Sequence, residues 1–281
     1  MSFTINMNIK VAIQGVKGSF HEEAAYKYFG EQIETVECES FKKTCELLKQ
    51  GKVDYVVMAI ENSIAGSLIP NYALLRDYRF PIIGEVYLHI KLHLMALPGV
   101  TLQDIKFIQS HPIALQQCND FLEENPQFKV TEAEDTAASA QRVSEHQLKT
   151  TAAIAPQLAA KLYGLDIIER RIETNKKNYT RFLILTAKPE AQQTKSNKAS
   201  LSFQTGNGVG SLATVLQCFA ERNVNLSKIQ SMPVLGKRNE YDFYVDVEWQ
   251  DQADYEAAIR NVLKHSSNFN IMGEYVKNEK V

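Results

Sequence analysis

Residues 200–223 read SLSFQTGNGVGSLATVLQCFAERN. Leu201 and Phe203 alternate with polar residues, a glycine-rich turn follows, and then Leu212, Val215, Leu216 and Phe219 recur at helical spacing. The stretch therefore reads as a strand over Ser200–Thr205, a turn, and a helix over Ser211–Arg222. Working outward, Asn225–Val234 is a strand and Tyr241–Trp249 another, with Tyr241, Phe243, Val245, Val247 and Trp249 alternating. Gln252–Lys264 is a helix whose apolar face is Tyr255, Ala258, Ile259, Val262 and Leu263, and Asn268–Val276 is a last strand. The order βαββαβ is that of a ferredoxin-like unit. A two-layer unit leaves a sheet face or edge open, so pairing with a second copy is expected.

On the N-terminal side of this unit, Lys188–Lys198 (KPEAQQTKSNK) is a polar, proline-containing linker. Beyond it strands and helices alternate, which argues for an α/β sheet architecture. Expected strands are Lys10–Gln14, Thr35–Cys38, Val53–Ile60, Phe80–Val86 running into Leu88–Ala96, Ile105–Ile108, Lys129–Glu132, Thr151–Ala155 and Phe182–Leu185. Expected helices start at His21, Phe41, Ile69, Pro112, Ala137 and Pro156, the fourth running to Glu124. In Leu88–Ala96, Leu88, Ile90, Leu92 and Leu94 alternate with His89, Lys91 and His93, which puts both histidines on an exposed face.

Composition excludes several classes of function. Net charge is −2, so no electrostatic case exists for nucleic acid or a membrane surface. No run approaches a membrane span, and Met1–Lys10 has no apolar core of signal-peptide length. Cys38, Cys45, Cys118 and Cys218 form no CxxC pair and read as reduced thiols of a cytoplasmic protein. No metal-spaced set of ligands exists, and Gly15–Ser19 lacks the GxxxxGK[ST] spacing of a nucleotide loop.

The polar residues gather where strands meet helices. Ser19, Ser110 and Thr136 stand at three helix starts, which present free N–H donors and favour negative charge. Glu61-Asn62-Ser63-Ile64-Ala65-Gly66-Ser67 follows a buried strand, the edge where open α/β sheets bind ligands. Asn178-Tyr179-Thr180-Arg181-Phe182 brings an amide, a hydroxyl and a guanidinium to the mouth of an apolar strand. Read locally, each cluster is equally a cap or a turn that satisfies backbone groups.

The ordered set of blocks is more specific than any one of them. It comprises Gly18-Ser19-Phe20, Ile60-Glu61-Asn62-Ser63 with Gly66, Ser110-His111-Pro112 with Ala114-Leu115 and Gln117-Cys118, Thr136-Ala137 with Ala140, Ala155, Tyr163-Gly164-Leu165, and Asn178 with Thr180-Arg181-Phe182. In this order the blocks resemble bacterial prephenate dehydratase, and the C-terminal unit resembles an ACT regulatory domain. The resemblance implies a two-lobed catalytic domain at residues 8–187, folded like a type-2 periplasmic binding protein. Lobe one would be 8–85 with 166–187 and lobe two 86–165; a linker at 188–198 would lead to an ACT domain at 199–277. It implies conversion of prephenate to phenylpyruvate, carbon dioxide and water in L-phenylalanine biosynthesis, in the cytoplasm, with no cofactor. Arogenate dehydration and non-catalytic amino-acid sensing are the alternatives.

The resemblance assigns Thr180 to the leaving hydroxyl, with Asn178 and Arg181 orienting it or contacting a carboxylate; Arg181 is equally readable as a structural ion-pair partner. Ser19, Glu61, Asn62, Ser63, Gly66, Ser67, Ser110, His111, Thr136 and Phe182 would line the substrate site. Asn207, Gly208, Val209, Gly210, Ser211 and Leu212, with Asn225, Leu226, Gln230 and Ser231, would bind phenylalanine as feedback effector, in a homodimer or homotetramer. Two departures bear on this: Ile113 stands where the family has glutamine after His-Pro, and Gln230-Ser231-Met232-Pro233 replaces the family's Glu-Ser-Arg-Pro. The second removes both charges and implies weaker inhibition. Too few residues precede Lys10 for a chorismate mutase segment.

Overall fold

The computed structural model describes residues 9–188 and 196–278. Most of the expected linker lies outside the described residues; its last residue, Lys198, is already in a strand. The chain divides into two compact units. One takes the chain through Tyr78 and then Val86–Leu183; the other takes Arg79–Glu85 and the chain from Ile184.

The first unit begins β1 (Lys10–Gln14), α1 (Phe20–Phe29), β2 (Glu34–Cys38), α2 (Phe41–Lys49), β3 (Tyr55–Asn62), β4 (Gly66–Ser67) and α3 (Ile69–Tyr78). It continues through β5 (Ile82–His89), β6 (His93–Ala96), β7 (Phe107–Ser110), α4 (Pro112–Gln117), α5 (Asn119–Glu124) and β8 (Lys129–Glu132). Then come α6 (Thr136–Glu145), β9 (Thr151–Ala155), α7 (Gln157–Tyr163), β10 (Asp166–Glu169) and β11 (Tyr179–Thr186); Ile82–Glu85 of β5 and Ile184–Thr186 of β11 belong to the second unit. These strands form two sheets, so the unit has two lobes. A 6-stranded sheet runs β2-β1-β3-β11-β5 with β4 beside β3, and a 5-stranded sheet runs β10-β6-β9-β7-β8. The chain passes from the first sheet to the second between β5 and β6, and returns between β10 and β11.

The central strands of both sheets are buried on both faces, which is why β3 and β9 are apolar runs rather than alternating ones. Val56, Val57, Ala152, Ala153 and Ile154 have no exposed surface. Parallel pairs β1–β2, β1–β3, β7–β8 and β7–β9 put strand ends and helix starts on one edge of each sheet. That edge carries the polar clusters.

Several expectations are corrected here. Leu88–Ala96 is not one strand: pairing stops after His89 and resumes at His93, because β5 belongs to the first sheet and β6 to the second. With that break the alternation fails, and His93 is buried, its Nδ1 accepting from the Arg171 N–H at 3.2 Å. The expected helix from Pro112 to Glu124 is divided at Cys118, whose φ of −108° and ψ of 24° leave the helical range. Residues 166–169, grouped by expectation with lobe one, form β10 and pair antiparallel with β6 in the second sheet.

The second unit contains β12 (Lys198–Gln204), α8 (Ser211–Ala220), β13 (Asn225–Pro233), β14 (Tyr241–Glu248), α9 (Gln252–His265) and β15 (Ser267–Tyr275). Its 4-stranded sheet has the order β13-β14-β12-β15 with antiparallel pairs throughout, the ferredoxin-like topology expected. Phe203, Phe219, Val245, Tyr255 and Val262 form its core, and the Trp249 and Tyr255 rings stack at 3.8 Å. Lys198 is buried because its ammonium pairs with Glu85 at 3.0 Å and Glu248 at 3.4 Å, so two carboxylates offset its desolvation. Its membership in β12 follows from that pairing, which the polar sequence around it conceals.

Candidate active site

The two lobes of the first unit enclose a cleft of about 390 Å³. One wall carries Gln14, Ser19, Phe20, His21, Asn62, Gly66, Ser67, Thr180 and Phe182; the other carries His111, Ile113, Ala114, Gln117, Asp135 and Thr136. The lobes touch beside it. A Cβ on Gly18 would stand 2.9 Å from the backbone of Ala159, and the Tyr163 hydroxyl donates to the Lys17 carbonyl at 2.8 Å.

Thr180 sits at the start of β11 and is held by Asn62 at the end of β3. The Asn62 side-chain oxygen accepts from the N–H groups of Ile64, at 3.0 Å, and Ala65, at 2.8 Å. That turn fixes which end of the amide is the donor. Its Nδ2 then donates to the Thr180 hydroxyl oxygen at 2.9 Å and to Asn178 Oδ1 at 2.7 Å. Because the Thr180 oxygen accepts this bond, its own proton is free to be given to a ligand. Asn178, fully buried, passes the order on: its Nδ2 donates to Oε1 of Gln117, a residue of the opposite wall, at 2.9 Å. Ser63 pins the same segment from outside, accepting from Tyr179 N–H at 2.9 Å.

The opposite wall offers more neutral donors. His111 caps α4, its Nδ1 accepting from the Ile113 N–H at 3.2 Å, so in the neutral ring Nε2 carries the proton. Asp135 caps α6 and places Thr136 in its first turn. On the first wall Ser19 caps α1, while the buried Glu22 accepts from the Gly18 N–H at 2.6 Å. Among the described residues, no lysine or arginine lines the cleft. An anionic ligand is met by hydroxyls, amides, imidazole N–H and the positive ends of helices α1 and α6, which suit carboxylates without a fixed counter-charge.

Three comparisons bear on what such a cleft does. The family model described as "Prephenate dehydratase" matches residues 11–190. The chain belongs to the prephenate dehydratase family. It is an enzyme of that family, a carbon–oxygen lyase. It is 38% identical to "Arogenate dehydratase/prephenate dehydratase 1, chloroplastic" of Arabidopsis thaliana, over 95% of this chain and 72% of that one. Among solved structures, it is similar to a prephenate dehydratase of Arthrobacter aurescens in complex with L-Phe: TM-score 0.85, 27% identity, 97% of this chain and 92% of that chain covered. A structure described as "GqqA", a quorum quenching acylase, gives TM-score 0.87 at 28% identity, covering 96% of this chain and 98% of that one.

Within this prephenate dehydratase fold, the expected site residues separate into groups. Ser19, Asn62, Gly66, Ser67, His111, Thr136, Thr180 and Phe182 line the cleft together. Asn178 and Ser63 stand behind Thr180 and position it. Ser110 does not reach the cleft: it ends β7 fully buried and donates to the Ile154 carbonyl at 2.6 Å, and His111 takes the capping place expected of it. Arg181 alternates away from Thr180 on β11, buried with its guanidinium 6.0 Å from the centre of the Tyr87 ring. Glu61 is not among the cleft-lining residues; it pairs with Ser67 across β3 and β4.

Gln117, Asp135 and His21 line the cleft and were not expected as site residues. Gln117 was legible: it lies one helical turn from Ile113, hence on the same face. His21 is the buried polar exception among the described residues, its Nε2 having no hydrogen-bond partner. The ring packs edge-on against Phe41 at 5.2 Å and Phe182 at 5.1 Å, and burial lowers its pKa from 6.5 to about 4.

That depression has a stability consequence. The unfolded chain binds a proton at His21 as pH falls through 6.5, while the folded chain binds it only near 4. Stability present above pH 6.5 is therefore lost as pH falls toward 4, on the order of 1–3 kcal/mol. His21→Phe keeps the ring contacts and removes the titration. Urea unfolding at pH 7 and pH 4.5 should show a smaller acid loss in this variant, and equal losses would sink the assignment.

In the C-terminal unit, Gly210 caps α8 with φ of 81°, a left-handed value, and Val209 beside it is wholly exposed. Gln230 donates to its neighbour's carbonyl, that of Ser231, at 2.8 Å. Asn225 lines a polar hollow with Asn223, Glu248, Trp249 and Lys277, which the Asn207–Leu212 loop does not line. Burial pushes the thiols of Cys38 and Cys45 up to about 11, so they remain uncharged. Among the described residues no group of His, Cys, Asp and Glu could hold a metal ion, and no helix is long and apolar enough to cross a membrane.

Proposed function

We propose that the chain catalyses the decarboxylating dehydration of prephenate to phenylpyruvate in L-phenylalanine biosynthesis. The observation that carries this reading is the oriented Thr180 hydroxyl, its oxygen committed to Asn62 and its proton free, in a cleft of neutral donors. Loss of the ring carboxylate as carbon dioxide supplies the electron pair that makes the ring aromatic, and the ring hydroxyl departs with a proton as water. Aromatisation drives the reaction, so the protein need only hold the carboxylates and ease hydroxide away. Thr180 is too weak an acid to part with a net proton. It acts as a hydrogen-bond donor to the departing oxygen or as a relay with water. The test is release of phenylpyruvate from prephenate by the purified chain, followed by ultraviolet absorbance; no product at micromolar enzyme would overturn the reading. Arogenate, named for the Arabidopsis relative, is the second reading, and Asp135 favours it.

The same proposal extends to regulation. The C-terminal unit is read as an ACT domain of a homodimer or homotetramer in the cytoplasm, with L-phenylalanine as inhibitor. Its ferredoxin-like topology and the phenylalanine bound by the Arthrobacter relative support this. Phenylalanine must bind the inhibited arrangement better than the active one, with coupling of about 1–3 kcal/mol. Calorimetry on the whole chain should show saturable binding, lost on Gly208→Val in the turn before α8. No binding at millimolar phenylalanine would leave the unit an assembly module.

A further inference from the structure

Asp135 is the anionic group of the cleft that the dehydration itself does not use. It stands on the wall opposite Thr180, with His111 and Thr136. One carboxylate oxygen is spent on structure, since Oδ1 accepts from the Ala138 N–H at 2.9 Å. The other, Oδ2, lies beside the neighbouring lobe. A Cβ on Gly15 would lie 2.8 Å from Oδ2 and 3.5 Å from Cγ, so Oδ2 is the atom turned toward the first lobe. Gly15 has φ of 94°, and the absent side chain leaves Oδ2 its room.

Among the described residues that line the cleft there is no lysine or arginine to neutralise this oxygen. Its surroundings raise the pKa of Asp135: burial is the largest cause, opposed by hydrogen bonds from the backbone of Ala138 and Ala137 and by the nearby His111. A carboxylate so placed opposes a ligand that brings two more carboxylates and no cation. A ligand that also carries an ammonium group relieves the conflict, because N⁺–H donates to O⁻ in a charge-assisted bond. Arogenate differs from prephenate in this one respect: an amine replaces the side-chain carbonyl. In both molecules that side chain leaves the ring at the end opposite the departing hydroxyl. With the hydroxyl at Thr180 on one wall, the side chain reaches the other.

We propose that Asp135 is a specificity-determining residue that lets this cleft take an amino acid substrate, Oδ2 accepting the ammonium group of arogenate. The inference rests on the dehydratase reading above and names the substrate feature that reading leaves open.

The test measures kcat/KM for arogenate, by appearance of phenylalanine, and for prephenate, by appearance of phenylpyruvate, in the full chain and in Asp135→Asn and Asp135→Ser. Both replacements are good helix caps, so the start of α6 survives. The wild-type chain should turn over arogenate. In both variants its kcat/KM should fall by about 10–100-fold, the worth of one hydrogen bond to a charged group. The value for prephenate should fall much less, so the ratio of the two shifts toward prephenate. The ratio of the two is the decisive readout, because damage to the helix or to lobe closure lowers both together. No arogenate turnover by a wild-type chain active on prephenate, or an unchanged ratio in the variants, would overturn the assignment. Turnover of neither substrate would overturn the dehydratase reading, and this proposal with it.

Discussion

Thr180→Ala should lower kcat by about 10²–10³, the usual loss when one donor to a developing oxyanion is removed, with KM changed little. The geometry supplies the reason for that split. In the resting cleft the Thr180 oxygen is occupied by Asn62 at 2.9 Å, so its proton is the part offered to the substrate. That bond strengthens as negative charge builds on the leaving oxygen, so it contributes to the transition state more than to binding. Thr180→Ser keeps the hydroxyl and should retain appreciable activity, reduced by the extra rotamers a methyl group excludes. Steady-state rates with purified protein check both. A near wild-type kcat in Thr180→Ala would remove the residue from the chemistry.

Asn62, Asn178 and Thr180 were legible because each belongs to the ordered set of blocks that carries the resemblance, and the fold brings them within one hydrogen-bonded chain. Ser110 and Arg181 belong to equally recognisable blocks and are buried on the far side of their strands. A block in the sequence marks that a residue is constrained, and burial constrains as firmly as chemistry. Alternation along β11 gave a warning: a strand that points Thr180 into the cleft points Arg181 away from it. Asp135 is a helix cap through Oδ1, a role that a residue of its type just before a helix announces locally. Its second oxygen depends on the neighbouring lobe, more than 100 residues away in sequence at Gly15, and local pattern holds no trace of that.

The secondary structure was most legible in the C-terminal unit, where the core-facing Leu201, Phe203, Val245 and Val247 alternate with polar Ser200, Ser202 and Asp246, so alternation reports orientation directly. In the two-lobed unit the central strands are covered on both faces, alternation vanishes there, and strand ends are hidden. β3 runs on to Asn62, past the expected stop at Ile60, because Glu61 and Asn62 pair with Ser67 and Gly66. The break between His89 and His93 depends on two sheets claiming adjacent segments. A chain crossing between lobes leaves no local mark in residues whose side chains are buried on either side of it.

Asn62→Asp should be more damaging to kcat than Asn62→Ala while being the better folded of the two. The side-chain oxygen that accepts from Ile64 and Ala65 exists in Asp as well, so the turn after β3 survives; Ala loses it. The consequences differ at the other atom. A carboxylate oxygen in place of Nδ2 accepts where the amide donated. Thr180 then gives its proton to residue 62, and its oxygen can only accept from a ligand. Asn178 Oδ1, 2.7 Å from that position, faces another acceptor and must flip its amide, which breaks its bond to Gln117. A negative charge also enters a cleft meant for carboxylates. Together these should lower kcat by about 10³ or more, beyond the loss of a single donor, and raise KM. In Asn62→Ala nothing captures the Thr180 proton, so part of the rate should remain. The order of the two variants in kcat should thus oppose their order in thermal stability. If Asn62 served only to hold the turn, Ala would be the worse variant in both measurements.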